Sequence, residues 1–176
     1  MAHRDTWHAE KVLAYVHRQD QHHGVGLDPL REGTTLPALF GLRVDGRWLA
    51  ERVRALLPRV NRRDLLEQWG IQRLDEAEAL HHLSEAAAAA VGLPSLTGRQ
   101  TIVVAARRAA VHACRGPATE AVAAALGLTS RAVRKLRAQP PNSELVRAIR
   151  LQMGLRAVAP APRTLLGETR SAAGEA

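Results

Sequence analysis

Two stretches of this sequence hold residue types whose spacing could do chemistry. The first is Tyr15-Val16-His17-Arg18-Gln19, followed by His22-His23. Tyr15 and Gln19 stand at i and i+4, so on a helix both project from one face. Tyr15 is the only tyrosine in the chain. A phenol can attack a DNA phosphate when a metal ion polarises that phosphate. The amide oxygen of a glutamine is a suitable hard ligand for such an ion. The pair can therefore hold a nucleophile and a metal ligand within one helical turn. The plain alternative is an exposed pair on a surface helix, because Tyr and Gln four apart also occur by chance.

The second stretch runs from Thr119 to Leu136 and fits a helix-turn-helix pattern. That motif needs two helices crossing steeply over a short turn. A small residue is needed where they touch, and Ala123 stands there. The turn needs a residue tolerant of positive φ, and Gly127 follows four residues later. Val122, Leu126, Leu128, Val133 and Leu136 supply apolar contacts, and Thr129-Ser130 the cap of the second helix. Its exposed side then shows Ser130, Arg131, Arg134, Lys135 and Arg137. Base edges are met by the N-terminal part of such a helix, and Arg is the common reader of guanine. Arg107 and Arg108, on the preceding helix, are further candidates for DNA contact. The bland alternative is an Ala-rich helical hairpin with a solvated basic face.

Other groups carry less. His17, His22 and His23, or His81-His82, lack the i, i+4 spacing that suits two ligands of one ion on a helix. The single cysteine, Cys114, excludes an internal disulfide and a Cys-rich zinc site. Its place at the end of an apolar helix face predicts a buried structural thiol. The Gly-x-Gly at 24–26 follows no strand and so makes no phosphate loop. No Ser/His/Asp arrangement stands out, and no cofactor-binding residues are assigned.

Residues 11–44, from Lys11-Val-Leu-Ala-Tyr15-Val-His-Arg-Gln19 through Asp28-Pro29 to Leu39-Phe40-Gly41-Leu42-Arg43, resemble the end of a tyrosine transposase of the HUH single-strand class, of the insertion-sequence and REP-associated type. A late helix of that family bears a Tyr-x-x-x-Gln motif followed by a His-His pair, which Tyr15, Gln19, His22 and His23 match in order. The resemblance implies that Tyr15 is the nucleophile forming a 5′-phosphotyrosine link. It implies that Gln19 is a ligand for Mg²⁺ or Mn²⁺. The family also needs a His-hydrophobic-His motif on a strand upstream of the tyrosine helix. Only 14 residues precede Tyr15, and His112-Ala113-Cys114 is no substitute. The expectation is thus a C-terminal piece of a transposase, from a truncated, mis-started or split gene, not active alone. In isolation it would need no cofactor; Mg or Mn would enter only with the completed site. The helix-turn-helix segment resembles those of bacterial repressors and of replication initiators.

The elements that must position these residues read as helices. Ala and Leu dominate, while aromatics make up 3% of the chain, a palette that favours helix over strand. Proline and glycine divide the first half. The expected helices run over residues 5–22, with Trp7, Val12, Leu13 and Val16 on one side; after Asp45, burying Trp48, Leu49, Val53, Leu56 and Leu57; after Asn61, with Leu65, Leu66 and Trp69 inward; and from Asp75 to Val91. One turn is expected around Pro37–Phe40. The second half continues with helices over 98–114, 119–126 and 130–138, then a last helix capped by Asn142. The fold class is all-α: a small helical unit at 1–91, which includes the tyrosine helix at 5–23, a helix-turn-helix domain at 97–156, and a disordered tail at 157–176. Gly127 is expected to tolerate Val less well than Gly154 does.

Charge follows the same division. The chain carries 25 Lys+Arg and 17 Asp+Glu, a net +8. Residues 1–96 hold 12 basic and 13 acidic residues, whereas 97–163 hold 12 and 2. One segment thus bears the positive charge, as a polyanion-binding module would. No apolar run reaches the roughly 18–20 residues that span a bilayer. The start, Met1 to Asp5, leads into no apolar stretch, so the cytoplasm is the expected compartment. The expected partner is DNA, with a separate HUH catalytic polypeptide or a second copy as protein partner, and no membrane. The leading reading is a transposase-derived DNA-binding fragment that recognises element-end DNA. The alternative is a standalone helix-turn-helix transcriptional regulator. RNA binding ranks third, because few aromatics are available for base stacking.

Overall fold

The computed structural model describes residues 7–12, 15, 36–44, 47–56, 62–67, 71 and 73–158. Among them there is no strand, and the fold is all-α. Residues 7–12 and Tyr15 are helical, with the Lys11 ammonium 3.7 Å from the centre of the Trp7 ring. The next helices are short: α1 (Leu36–Leu39), α2 (Arg47–Leu56) and α3 (Arg62–Glu67). A 3₁₀ turn at Leu80–His82 leads into α4 (Leu83–Ala89). Then follow α5 (Thr101–Ala113), α6 (Thr119–Leu126), α7 (Ser130–Arg137) and α8 (Ser143–Val158). No described helix is long and apolar enough to cross a membrane.

Helix α8 organises the molecule because it buries apolar residues on two sides, each against a different cluster. Leu145, Ala148, Ile149 and Met153 enter a core shared with α4, α5, α6 and α7. Leu151 and Leu155 point the other way, into a second cluster with Phe40, Leu42, Ala50, Leu66 and Leu74. Alanines line α4 and α5: Ala86, Ala87, Ala106, Ala109, Ala110 and Ala113 are all fully buried. Side chains this small let the helix axes approach closely, and α4, α5 and α8 all pack on one another. Cys114 is buried in this core, as expected. Burial comes first among the causes that push its thiol up to about 11, so it stays protonated at neutral pH.

The core crosses the division expected at 92–97. Helix α4 lies before it, yet packs on α5 and α8 after it, and the Val44 N–H donates to the Ala90 carbonyl at 3.2 Å. Change of charge marks a change of surface here, and not the edge of a core. The tail expected from 157 begins within α8, which continues to Val158; the residues beyond lie outside those described.

A second correction concerns the helix expected from Asp75. Residues 73–79 are not helical, and only 83–89 form α4. The segment instead lies along α8: the Ala77 N–H donates to the Arg150 carbonyl at 3.1 Å. Helix propensity is worth only tenths of a kcal/mol per residue, so tertiary contacts override it. Gly154 permits this approach, since a Cβ there would overlap the Asp75 carbonyl oxygen. The expected ranking of the two glycines is therefore reversed: open space surrounds Gly127, while backbone packs against Gly154.

Helix α2 is also turned from its expected facing. Ala50 is buried and Val53 half-buried, but Trp48 is 68% and Leu56 58% exposed. Ala50 and Val53 pack into the second cluster, which takes one side of α2 and leaves Trp48 and Leu56 outside it. Trp7, Val12 and Ile102 are exposed as well. Leu13, Val16, Leu57 and Trp69 lie outside the described residues.

Candidate nucleic-acid interface

Helix α6 ends on Gly127, whose φ of 61° and ψ of 37° lie in the left-handed region that L side chains avoid. Two hydrogen bonds close the end: Gly127 N–H to the Ala124 carbonyl at 3.2 Å, and Leu128 N–H to the Ala123 carbonyl at 2.8 Å. This is the paired pattern of a Schellman stop. Leu128 turns back onto the core. Thr129 then caps α7, its Oγ1 accepting from the Ala132 N–H at 3.2 Å. A three-residue connection, Gly127-Leu128-Thr129, so fixes α7 against α6 and α5. Val122, Ala123, Leu126 and Val133 are buried beneath it, with Leu128 and Leu136 half-buried.

The candidate side chains divide in this frame. Arg131, Arg134 and Lys135 are exposed, and Ser130 is half-buried at the first turn. No acidic residue lies in that turn, so the partial positive charge of the helix N-terminus is not offset there. Arg134 Nε reaches back to the Ser130 carbonyl at 3.4 Å. Arg137 is half-buried and braces the pair: it donates to Thr119 Oγ1 at 3.0 Å and to the Pro117 carbonyl at 3.4 Å. Arg107 similarly ties down the loop before α5, donating to the Leu96 carbonyl at 2.6 Å and to that of Gly98 at 3.1 Å. Arg108 is half-buried, its Nε without a partner among the described residues. Arg107 and Arg137 thus have intramolecular work that the sequence pattern did not reveal.

Exposed Arg115 follows α5, beside the Pro117 that Arg137 holds. The outer side of α6 shows Glu120, Ala121 and Ala124. Glu120 is the acid on that side. His112 links the end of α5 to the residues after α7, its Nε2 lying 3.0 Å from the Gln139 carbonyl.

The net positive charge of the C-terminal half is handled in two ways. On α8, Arg147 lies 3.5 Å from Glu76, Arg150 3.2 Å from Glu78, and Arg156 3.6 Å from Glu85. All three acids come from the segment before residue 92. On α7, Arg131, Arg134 and Lys135 have no ion pair among the described residues. Among the described residues, α7 thus carries three exposed cations that no acid offsets.

The tyrosine constellation is not assembled in the described residues. Tyr15 is helical and 63% exposed. Gln19, His17, His22 and His23 lie outside the described residues. His81 and His82 stack with ring centres 3.9 Å apart, and no three His, Cys, Asp or Glu side chains among the described residues gather as metal ligands would. No protein-family model matches the chain, and no curated protein or solved structure matches it.

Proposed function

We propose that this chain binds duplex DNA through α6 and α7, with α7 set against the major groove. The carrying observation is that Arg131, Arg134 and Lys135 stand exposed without acidic partners among the described residues, while the acids before residue 92 pair with the arginines of α8. Ser130 and Arg131, on the first turn, are the candidates to meet base edges. Arg134 and Lys135 are the candidates for phosphates. Arg137 and Arg107 serve by holding the elements in place. Titration of the full chain against duplex DNA at two salt concentrations tests this. Binding should weaken with salt, each phosphate contact adding about −0.9 to the slope of log K on log salt. Binding that is absent, or indifferent to salt, overturns it.

The proposal extends to origin. The likeness of the tyrosine segment to HUH-class transposases makes the chain the DNA-recognising part of such an enzyme, and its target the DNA of an element end. Exposure of Tyr15 supports this reading, because a nucleophile used by a separate catalytic polypeptide must be reachable. The chain alone is expected to leave hairpin-bearing single strands uncut in Mn²⁺. A covalent protein–DNA band should form only when an HUH polypeptide is added, and Tyr15→Phe should abolish it. If no such polypeptide yields a band while duplex binding holds, the chain acts as a regulator.

A further inference from the structure

The turn between α5 and α6 is held by bonds from α7 and α8, and it carries an exposed cation. Cys114 is fully buried and its backbone is extended, with φ −112° and ψ 97°, so the chain leaves α5 at that residue. Arg115 and Gly116 then stand exposed, and α6 begins at Thr119.

From α8, Arg150 Nε donates to the Ala113 carbonyl at 2.9 Å, so the last carbonyl of α5 is capped. Its Nη2 lies 3.2 Å from Glu78 Oε1. The other oxygen of Glu78 reaches the turn itself, 3.9 Å from the Cβ position of Gly116. From α7, Arg137 donates to the Pro117 carbonyl at 3.4 Å and to Thr119 Oγ1 at 3.0 Å. His112, on the last turn of α5, has its Nε2 3.0 Å from the Gln139 carbonyl, just beyond α7. These bonds set the turn at the C-terminal end of α7, where Arg134 and Lys135 precede Arg137. Two of the three ties come from guanidiniums, whose charged donors bond more strongly than neutral ones. Arg115 itself has no ion pair among the described residues. Glu78, the acid at this turn, is engaged by Arg150.

We propose, on the reading that α7 binds duplex DNA, that this turn is a further contact to the phosphate backbone of that duplex. Arg115 is its cation, and Arg150 is a positioning residue that sets the turn against α7. A phosphate contact carries no base information, so Arg115 adds affinity for every sequence alike. Because the turn is already fixed, little ordering of its backbone is needed on binding. Glu78 holds Arg150, and through it the end of α5. A segment far from α7 in sequence thus sets one edge of the DNA surface.

The test uses the full chain, fluorescence anisotropy and two mixed-sequence duplexes, one GC-rich and one AT-rich, each of about 20 base pairs, or two helical turns. Arg115→Gln should weaken both alike, by about threefold to tenfold, and lower the slope of log K on log salt by about 0.9. Arg115→Lys keeps the charge and should keep the slope. Neither should shift the melting temperature, since the side chain is exposed. Arg131→Ala should instead change the ratio between the two duplexes. Arg150→Gln should weaken both duplexes. The double variant Arg115→Gln/Arg150→Gln should be no weaker than the more affected single one, because both act through one contact. Far-ultraviolet circular dichroism checks that Arg150→Gln folds; Arg150→Lys takes its place if it does not. Losses that add in full would leave Arg150 to stability alone and overturn its positioning role. An Arg115→Gln chain with the affinity and salt slope of the parent overturns the turn as a contact, even where Arg131→Ala shows that α7 binds. A loss confined to one duplex would make Arg115 a reader of bases, which also overturns it. A parent chain that binds neither duplex overturns the α7 reading and this contact together.

Discussion

Helices α7 and α8 both carry arginines at the surface of the same core, and their surroundings differ. On α8, Arg150 donates to the Ala113 carbonyl at 2.9 Å and to Glu78 at 3.2 Å, and Arg147 and Arg156 meet Glu76 and Glu85. On α7, Arg131, Arg134 and Lys135 meet water. Composition counts all of these as one basic segment. The fold divides them, because Glu76, Glu78 and Glu85 lie against the arginines of α8. Basic charge in a sequence therefore overstates the charge offered to a partner; what remains after internal pairing is the quantity that matters.

The strongest way to break this division is to lift the 73–79 segment from α8. Gly154→Val places a side chain where the Asp75 carbonyl sits. Overpacking of this kind costs about 3 kcal/mol when backbone must move. Gly127→Val should cost less, about 1–2 kcal/mol, because its left-handed backbone is strained but open space surrounds it. Thermal or urea melts of both variants rank them. A larger loss for Gly127→Val would mean that segment 73–79 does not rest on α8.

Next comes Arg150→Ala, expected to destabilise by about 1–3 kcal/mol, the range for a hydrogen bond from a charged group whose loss strands a part-buried carbonyl. Its side chain is 25% exposed, so screening of the two ion pairs is incomplete. Arg147→Ala, with a side chain 68% exposed, should change stability by no more than about 0.5 kcal/mol. Urea denaturation compares them. Equal effects would show that α8 uses its arginines only at the surface.

DNA affinity gives the converse comparison. Arg131→Ala should weaken duplex binding by about 1–3 kcal/mol, the range for an arginine that reads a base. Lys135→Ala should lower affinity for all sequences and reduce the salt slope by roughly 1. Arg147→Ala should change affinity less than twofold, since it lies on the neutralised helix and rim charges act weakly. Glu120→Gln should strengthen binding modestly, because an exposed carboxylate on α6 repels phosphate. Fluorescence anisotropy with one duplex measures all four. If Arg147 proves as important as Arg131, the DNA surface is not the one assigned to α7.

Much of the C-terminal half could be read from local signals. The ends of α6 and α7 follow from Gly127 and Thr129, and Asn142 does cap α8, its Oδ1 accepting from the Glu144 and Leu145 N–H groups at 3.0 and 3.1 Å. These are contacts between near neighbours, so sequence pattern carries them. Segment 73–79 could not be read in this way: its course is set by Arg150 and Gly154, some seventy residues further on. Arg107 and Arg137 look like surface cations by type, yet their roles depend on which carbonyls the fold places beside them. Trp48 is exposed although its spacing places it on the apolar stripe, because periodicity tells which residues share a face, not whether anything covers that face. The α7 side chains were readable as a set, but their lack of acidic partners was not.

The smallest expected effect concerns pH and the end of α8. His82 lies at the start of α4, near Glu85 and Arg156. Burial first, then the charge of His81, lowers its pKa below the ordinary 6.5; Arg156 acts in the same sense, and Glu85 opposes. A lowered value in the fold means that the unfolded chain takes up the proton first. Stability tied to neutral His82 is then fully present above pH 6.5 and is lost as pH falls from there through the folded value. His82→Gln removes the titrating group, so melts between about pH 5 and 7.5 should show a shallower acid decline than the parent. The cations of α7 are arginine and lysine, which stay charged across this range. A salt-matched anisotropy titration of the folded chain should therefore show no change in DNA affinity from loss of His82, even where stability differs. Parallel melting curves for parent and His82→Gln would remove His82 from the account. A pH-dependent change in DNA affinity that disappears in His82→Gln would instead couple the two helices that the fold keeps apart in charge.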